Sequence, residues 1–204
     1  MTAGAGPELS AVILAGGRAA RLGGIDKPGL EVRGRTLLAT VVAAASGAGA
    51  ARIVVVGPEP EHPELAVRFV REDPPGAGPF AALRCGLGQL GDPAGPSGRV
   101  AVLAGDLPFL RAAHLRALLA ATEDGRGAVL VDDEGYPQWL AGCWPERTLA
   151  AAAAGYTGSS LRGLMAPLSP AHVVIEPEPG EPPPWLDCDT EADLSRARDW
   201  PGAR

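Results

Sequence analysis

Lysine is almost absent from this chain of 204 residues: Lys27 stands alone among 18 basic side chains, the rest being arginine. Cysteine is scarce as well. Cys85, Cys143 and Cys188 lie far apart with no C-x-x-C spacing, which excludes a zinc or dithiol motif and leaves them as small buried hydrophobes. His62, His114 and His172 are equally scattered, and none sits beside a Ser or Cys in a nucleophile motif, so ordinary packing or surface roles are expected. Positive charge is not in excess. With a formal net charge of -6 the chain lacks the basic surface that binds nucleic acid or anionic membranes, and neither is expected as a partner. No run approaches the roughly 20 apolar residues of a spanning helix. Met1 to Ser10 has neither a cationic segment nor an apolar run, so the chain reads as soluble and cytoplasmic.

Glycine and proline, by contrast, are plentiful at 28 and 21 residues, but they fall between clean apolar blocks and act as punctuation rather than as a sign of disorder. The blocks Ala11 to Leu14, Ile53 to Val56, Val67 to Val70, Val100 to Leu103 and Val129 to Val131 are strand candidates, apolar enough to be buried on both faces. Helix patterns lie between them at Thr36 to Ala48, Phe80 to Leu90 and Arg111 to Thr122. That alternation predicts an α/β fold: a single doubly wound, mostly parallel sheet with helices on both faces, whose ligand lies outside the carboxyl ends of the strands. The second half predicts a strand at Gln138 to Cys143, a helix at Pro145 to Ala154, a strand at His172 to Ile175 and a closing helix at Thr190 to Arg198. Glu176 to Pro184, rich in Pro and Glu, reads as a surface loop and not as a domain boundary, so residues 1–204 are taken as one domain.

The sharpest feature follows the first strand: Leu14-Ala15-Gly16-Gly17-Arg18-Ala19-Ala20-Arg21-Leu22-Gly23-Gly24-Ile25-Asp26-Lys27-Pro28. Paired glycines after a buried strand let backbone N–H groups approach a phosphate. Arg21 can fork across phosphate oxygens, and Lys27 offers a compact charge for an α-phosphate whose bond to pyrophosphate is breaking. This string is not a Walker A loop and lacks the G-x-G-x-x-G of a dinucleotide-binding fold. Further on, Leu103-Ala104-Gly105-Asp106-Leu107-Pro108 puts a carboxylate at a strand's carboxyl end, where one or two carboxylates bring magnesium to a triphosphate.

The fifteen-residue string resembles the A-G-G-x-x-x-R-[LM]-G…D-K signature of the nucleotidyltransferase superfamily. Its continuation, Leu30 to Leu38, is similar to the molybdenum cofactor guanylyltransferases (MobA-like). The resemblance implies the Rossmann-like nucleotidyltransferase fold, with a nucleotide-binding part over about residues 9–110 and an acceptor-binding part over about 111–200. It implies Mg2+ on Asp106, with Arg21, Lys27 and Asp106 catalytic and with Leu14, Ala15, Gly16, Gly17, Asp73 and Gly78 joining them around the nucleotide. Asp73 and Gly78 belong to a stretch that resembles the family's nucleoside-contacting D…G-P-L-A-G-L segment, with Phe80 and Ala82 departing from it. Asp187 and Asp189, in a segment similar to D-x-D-T-P-E-D-L, offer a second metal carboxylate, and Thr190 or Asp189 would cap the final helix. Gln138 and Trp139, matching G-x-x-Q-x-L-x-G, and Arg162 would face the acceptor.

The activity implied is transfer of GMP from GTP to the terminal phosphate of molybdopterin cofactor, with proteins that deliver or receive the cofactor as further partners. Base preference does not follow from residue types, which leaves a cytidylyltransferase or a sugar-phosphate nucleotidyltransferase open. A nucleotide-binding protein without chemistry is the rival of another class, and the full set of Arg21, Lys27 and Asp106 stands against it.

Overall fold

The computed structural model describes residues 8–16, 29–59, 65, 67–92, 95, 97–122 and 125–200. Among these residues nine strands form: β1 (Leu9–Leu14), β2 (Glu31–Val32), β3 (Arg35–Thr36), β4 (Ala50–Val56), β5 (Arg68–Val70), β6 (Arg99–Ala104), β7 (Ala128–Val131), β8 (Pro137–Pro145) and β9 (Ala171–Val173). Between and after them run α1 (Leu37–Gly47), α2 (Pro79–Gln89), α3 (Ala112–Ala120), α4 (Glu146–Gly155), α5 (Leu161–Met165) and α6 (Glu191–Arg198).

Seven strands make one sheet in the order β5-β4-β1-β6-β8-β7-β9. β1 lies inside it, parallel to β4 on one side and β6 on the other, and all six of its residues are buried, five of them apolar and the sixth Ser10. The chain first builds outward through β4 and β5, then returns to place β6 on the opposite flank of β1. This reversal puts a switch point between β1 and β6, where the loops after the two strands part and leave a crevice. β8 runs antiparallel to both β6 and β7, which makes the sheet mixed.

Alternate residues sort the sheet into two faces. Ala11, Ile13, Val55, Ala101 and Leu103 meet α1 and α3 through Leu38, Val41, Leu115 and Leu118. Val12, Val54, Val56, Val100 and Val102 meet α2, α4 and α5 through Leu83, Leu149 and Met165. Each such valine, leucine, isoleucine or methionine side chain, fully buried, is worth about 1.5–3 kcal/mol. Helix α2 approaches the sheet so closely at Gly86 that a Cβ there would collide with Val12 and come within 2.9 Å of Val56 Cγ2.

The predicted elements recur within a few residues of their expected ends, with Thr36 and Thr190 capping α1 and α6 through their hydroxyls. The β2–β3 hairpin is new. Its loop, Arg33-Gly34, has positive φ at both positions (56° and 71°), as a two-residue hairpin turn demands. Glu176 to Pro184 carries no regular structure, as expected of a loop, but it is not wholly on the surface: Pro182 and Pro184 are buried, and Glu181 is tied to Arg111. A third cluster, Val32, Leu37, Phe109, Cys188 and Leu194, fastens the hairpin and α6 to the residues after β6.

Candidate active site

The carboxyl ends of four strands are stitched into one rim. Gly57 N–H donates to the Val70 carbonyl at 2.9 Å, Ala15 N–H to the Val56 carbonyl at 2.8 Å, and Gly105 N–H to the Leu14 carbonyl at 2.9 Å. The residues that follow β4, β1 and β6 thus touch in series. Two of them are glycine for steric reasons. A Cβ on Gly57 would stand 2.8 Å from Ala15 C, and one on Gly105 would stand 3.1 Å from Ala15 Cα and Cβ.

Leu14, Ala15 and Gly16 of the predicted phosphate loop therefore lie directly beside Gly105 and Asp106, with Gly16 exposed and Asp106 half-buried. Gly17, Arg21 and Lys27 lie outside the described residues. Asp106 offers a hard oxygen ligand at the mouth of the switch-point crevice, a donor suited to a magnesium ion that draws its other ligands from phosphate and water. Cys188 packs in the same cluster as Phe109, which brings Asp187 and Asp189, both exposed, to the segment that Asp106 opens. Helix capping there falls to Thr190 and its reciprocal partner Asp193, so neither Asp187 nor Asp189 is the cap residue of α6.

The chain leaves β5 into the loop of residues 71–78 at the same rim. Asp73 is exposed, and Gly78, at φ 102°, is the N-cap of α2 with no side chain capping that helix. Only glycine takes that backbone angle readily. The loop is held by a residue that the sequence did not single out. Glu72 is buried to 8% exposure, and its Oε1 accepts the Gly76 N–H at 2.8 Å. A carboxylate next to the predicted Asp73 was visible in the sequence, but nothing in the pattern separated the inward one from the outward one. Burial, with the charge of Glu72 beside it, pushes the Cys85 thiol up from its ordinary value.

On the other side of β6, the antiparallel β8 begins at the rim, since Leu103 pairs with Ala141, and it carries Gln138 and Trp139 there. Gln138 Nε2 donates to Asp132 Oδ2 at 2.8 Å, while Asp132 Oδ1 accepts the N–H groups of Glu134 and Tyr136. The Gln138 amide nitrogen is thus committed to the β7–β8 turn. Asp132 was missed by the sequence reading, although an Asp three residues before Gly135 is a turn signal. Trp139 is half-buried against the cluster of Phe80, Trp144 and Met165. Arg162 is exposed in the first turn of α5, whose N-cap Ser160 accepts the Gly163 N–H at 3.0 Å. A cleft of about 520 Å3 opens between the start of α2 and Tyr156 to Ser159, walled by Phe80 and Tyr156 in an edge-to-face contact at 5.0 Å.

A mixed, mostly parallel sheet whose switch point is bordered by a glycine turn and an aspartate is the arrangement of a nucleotidyltransferase. Residues 11–173 match the MobA-like NTP transferase domain, and the chain belongs to that family. It is similar to the molybdenum cofactor guanylyltransferase of Xanthomonas euvesicatoria pv. vesicatoria, with 32% identity over 187 residues that cover 91% of this chain and 92% of that protein. It is also similar to the bifunctional protein GlmU of Geobacter sulfurreducens, 40% identical over 134 residues, which cover 60% of this chain and 26% of GlmU. Among solved structures, a nucleotidyl transferase from Methanothermobacter thermautotroptrophicus shares the fold with a TM-score of 0.74 at 22% identity, over 95% of this chain and 97% of that one. Among the described residues no helix is long and apolar enough to cross a membrane.

Proposed function

We propose that this nucleotidyltransferase moves GMP from GTP to the terminal phosphate of molybdopterin cofactor, forming the guanine dinucleotide cofactor. An oxygen of the acceptor phosphate attacks the α-phosphorus in line, the bond from that phosphorus to the β-phosphate oxygen breaks, and pyrophosphate leaves with its electron pair. No covalent enzyme intermediate is needed. The observation that carries the reading is the contact of the Leu14–Gly16 turn with Gly105, one residue before Asp106, at the switch point of the sheet. The likeness to a molybdenum cofactor guanylyltransferase along nine-tenths of the chain supports the choice of base and acceptor.

Residues of about 9–110 would hold the nucleotide. With the Ala15 N–H already given to Val56, the backbone N–H groups of Gly16 and Gly17 would face phosphate oxygens, Arg21 would clamp them, and Lys27 would stay beside the α-phosphate as its charge grows. Asp73 and Gly78 would lie along the nucleoside. Asp106 would hold Mg2+, with Asp187 or Asp189 as a second carboxylate, and the bound ion would supply positive charge to the phosphate oxygens. From about residue 111 onward, Trp139 and Arg162 would bound the acceptor, with Gln138 bracing the turn beside it. Most of the acceleration would come from positioning two phosphates in line.

The test is turnover with molybdopterin cofactor, Mg2+ and either GTP or CTP, for the natural chain and for Lys27→Ala and Asp106→Ala. Pyrophosphate release with GTP, at least tenfold slower in both folded variants, is expected. Equal turnover with CTP, or turnover only with a sugar phosphate, would replace the base or the acceptor. No release with any acceptor would leave a nucleotide-binding protein.

A further inference from the structure

Three arginines converge on a pocket of about 300 Å3 between the β2–β3 turn, α1 and the start of α3. Arg33 and Arg35 come from the hairpin and Arg111 from the residue before α3, while Ala44 and Phe109 belong to the apolar lining. Arg33 is held in the left-handed backbone region, and its guanidinium lies 4.8 Å from the Phe109 ring centroid. Among the described residues, neither Arg33 nor Arg35 has a carboxylate partner. Arg111 has one, since its Nη1 donates to both Glu181 oxygens at 2.9 and 3.0 Å. The rim therefore gathers three cations against one carboxylate in a chain whose net charge is -6.

We infer that this pocket is a second anion site, which takes a phosphate monoester with a small apolar or planar body. Two free guanidiniums can fork onto phosphate oxygens, and a third becomes available when the incoming anion displaces Glu181. The alanine and phenylalanine surfaces suit an organic body better than a bare ion. Burial and the facing charge of Arg111 lower the Arg33 pKa, and Glu181 opposes them in part. Glu181, on the Pro-rich segment before α6, acts as the resident substitute for the ligand's charge.

The inference is independent of the transfer reaction, and its test keeps the two sites apart. Phenyl phosphate and inorganic phosphate are titrated into the Lys27→Ala chain, in which the glycine turn has lost its lysine, while the amide signals of Gly34 and Ala112 are followed by NMR. Saturable shifts with phenyl phosphate are expected, with binding weaker for inorganic phosphate. Adding Arg33→Asn and Arg35→Gln should weaken phenyl phosphate at least fivefold with unchanged thermal stability, and Glu181→Gln should tighten it by twofold or more. Asparagine is chosen at 33 because it tolerates the left-handed angle. Absence of saturable shifts at Gly34 and Ala112, indifference to the arginine pair, or weaker binding after Glu181→Gln would each overturn the proposal. Capture of a glutamate-rich peptide in place of phenyl phosphate would overturn it too, in favour of a protein partner.

Discussion

Gly105 donates its N–H to the Leu14 carbonyl at 2.9 Å, and this bond sets the end of β6 against the end of β1. Ala15 cannot retreat from Gly105, because its own N–H is bonded to Val56 at 2.8 Å and Gly57 packs against its carbonyl side. A methyl group at 105 would stand 3.1 Å from two atoms of Ala15, and a branched side chain would add two more groups at a place with no slack. Gly105→Val is expected to cost about 1–3 kcal/mol through overpacking, read as a lower midpoint of thermal unfolding. It should also lower turnover at least tenfold by parting the turn from Asp106, and Gly105→Ala should fall between the two. A Val variant as stable and as active as the natural chain would show that the two strand ends are not in forced contact.

Glu72 is expected to act through the loop it holds. Removing its carboxylate in Glu72→Ala frees the Gly76 N–H, unpins residues 73–78 and loosens Asp73 and Gly78. The KM for the nucleotide should rise about five- to tenfold with kcat changed less than twofold, at a stability cost of about 1–3 kcal/mol for a lost bond to a charged group. Glu72→Gln keeps an acceptor oxygen and should preserve KM largely. Both variants remove the negative charge that helps hold the Cys85 thiol up, so Cys85 should alkylate faster in each, since the thiolate is the reacting form. Cys143, buried and pushed up to about 12, and the buried Cys188 should stay silent in the folded chain. An unchanged KM in Glu72→Ala would leave the residue purely structural.

Much of this was readable beforehand, for identifiable reasons. The blocks Ala11 to Leu14, Ile53 to Val56 and Val100 to Leu103 are uninterrupted by any polar residue and are buried apart from the half-buried Ile53, so they could hardly be anything but strands. Asp106 stood out because a carboxylate just past such a block falls at a sheet edge. The β2–β3 hairpin stayed hidden because its strands are two residues each, too short for any period to register, and its turn places an arginine at a positive φ where glycine or asparagine is the usual signal. Glu72 and Asp132 were overlooked because their roles are backbone contacts made inside loops, which no spacing encodes. The sequence also showed Arg33, Arg35, Arg111 and Glu181 only as dispersed charges, since their convergence depends on how the hairpin folds over α1 and α3.

At the opposite, amino-terminal edge of the sheet, Arg52 serves stability. Its Nη2 donates to Glu146 Oε2 at 3.1 Å, and its Nη1 donates to the carbonyls of Leu90 at 2.7 Å and Asp92 at 3.1 Å. It joins β4, the end of α2 and the start of α4. Glu146 is only 2% exposed, so its pairing with Arg52 is made largely out of water. Breaking a buried pair costs about 3–5 kcal/mol, and the partial exposure of Arg52 brings the expectation for Glu146→Ala or Arg52→Ala down to roughly 2–3 kcal/mol. The double variant should lose less than the sum, because each single change already removes the ion pair that the two share. Turnover at saturating substrate should be unaltered where the fold persists. Strict additivity in denaturant unfolding would show that the pair is not coupled.

His114 should give the fold a dependence on pH. Its Nδ1 accepts the Arg111 N–H at 3.1 Å, an arrangement open only to the neutral ring, and it lies in the first turn of α3. Burial lowers its pKa from the ordinary 6.5, the Arg111 charge lowers it further, and Glu181 opposes them in part. In the unfolded chain the ring takes up its proton near 6.5, whereas in the folded chain it does so only at lower pH. Between those two values the unfolded state binds more protons, so stability rises with pH there. The contribution is whole above about 6.5 and is lost as pH falls through the lowered folded value. His114→Gln keeps an acceptor at the third helical position but cannot titrate. Denaturant unfolding at a series of pH values from 7.5 to 5 should therefore show the natural chain losing on the order of 1 kcal/mol more than the Gln variant, the scale of one cap hydrogen bond. His62, His172 and the carboxylates are common to both chains and cancel in the difference. Two parallel stability curves would mean that the ring is not held neutral by its place beside Arg111.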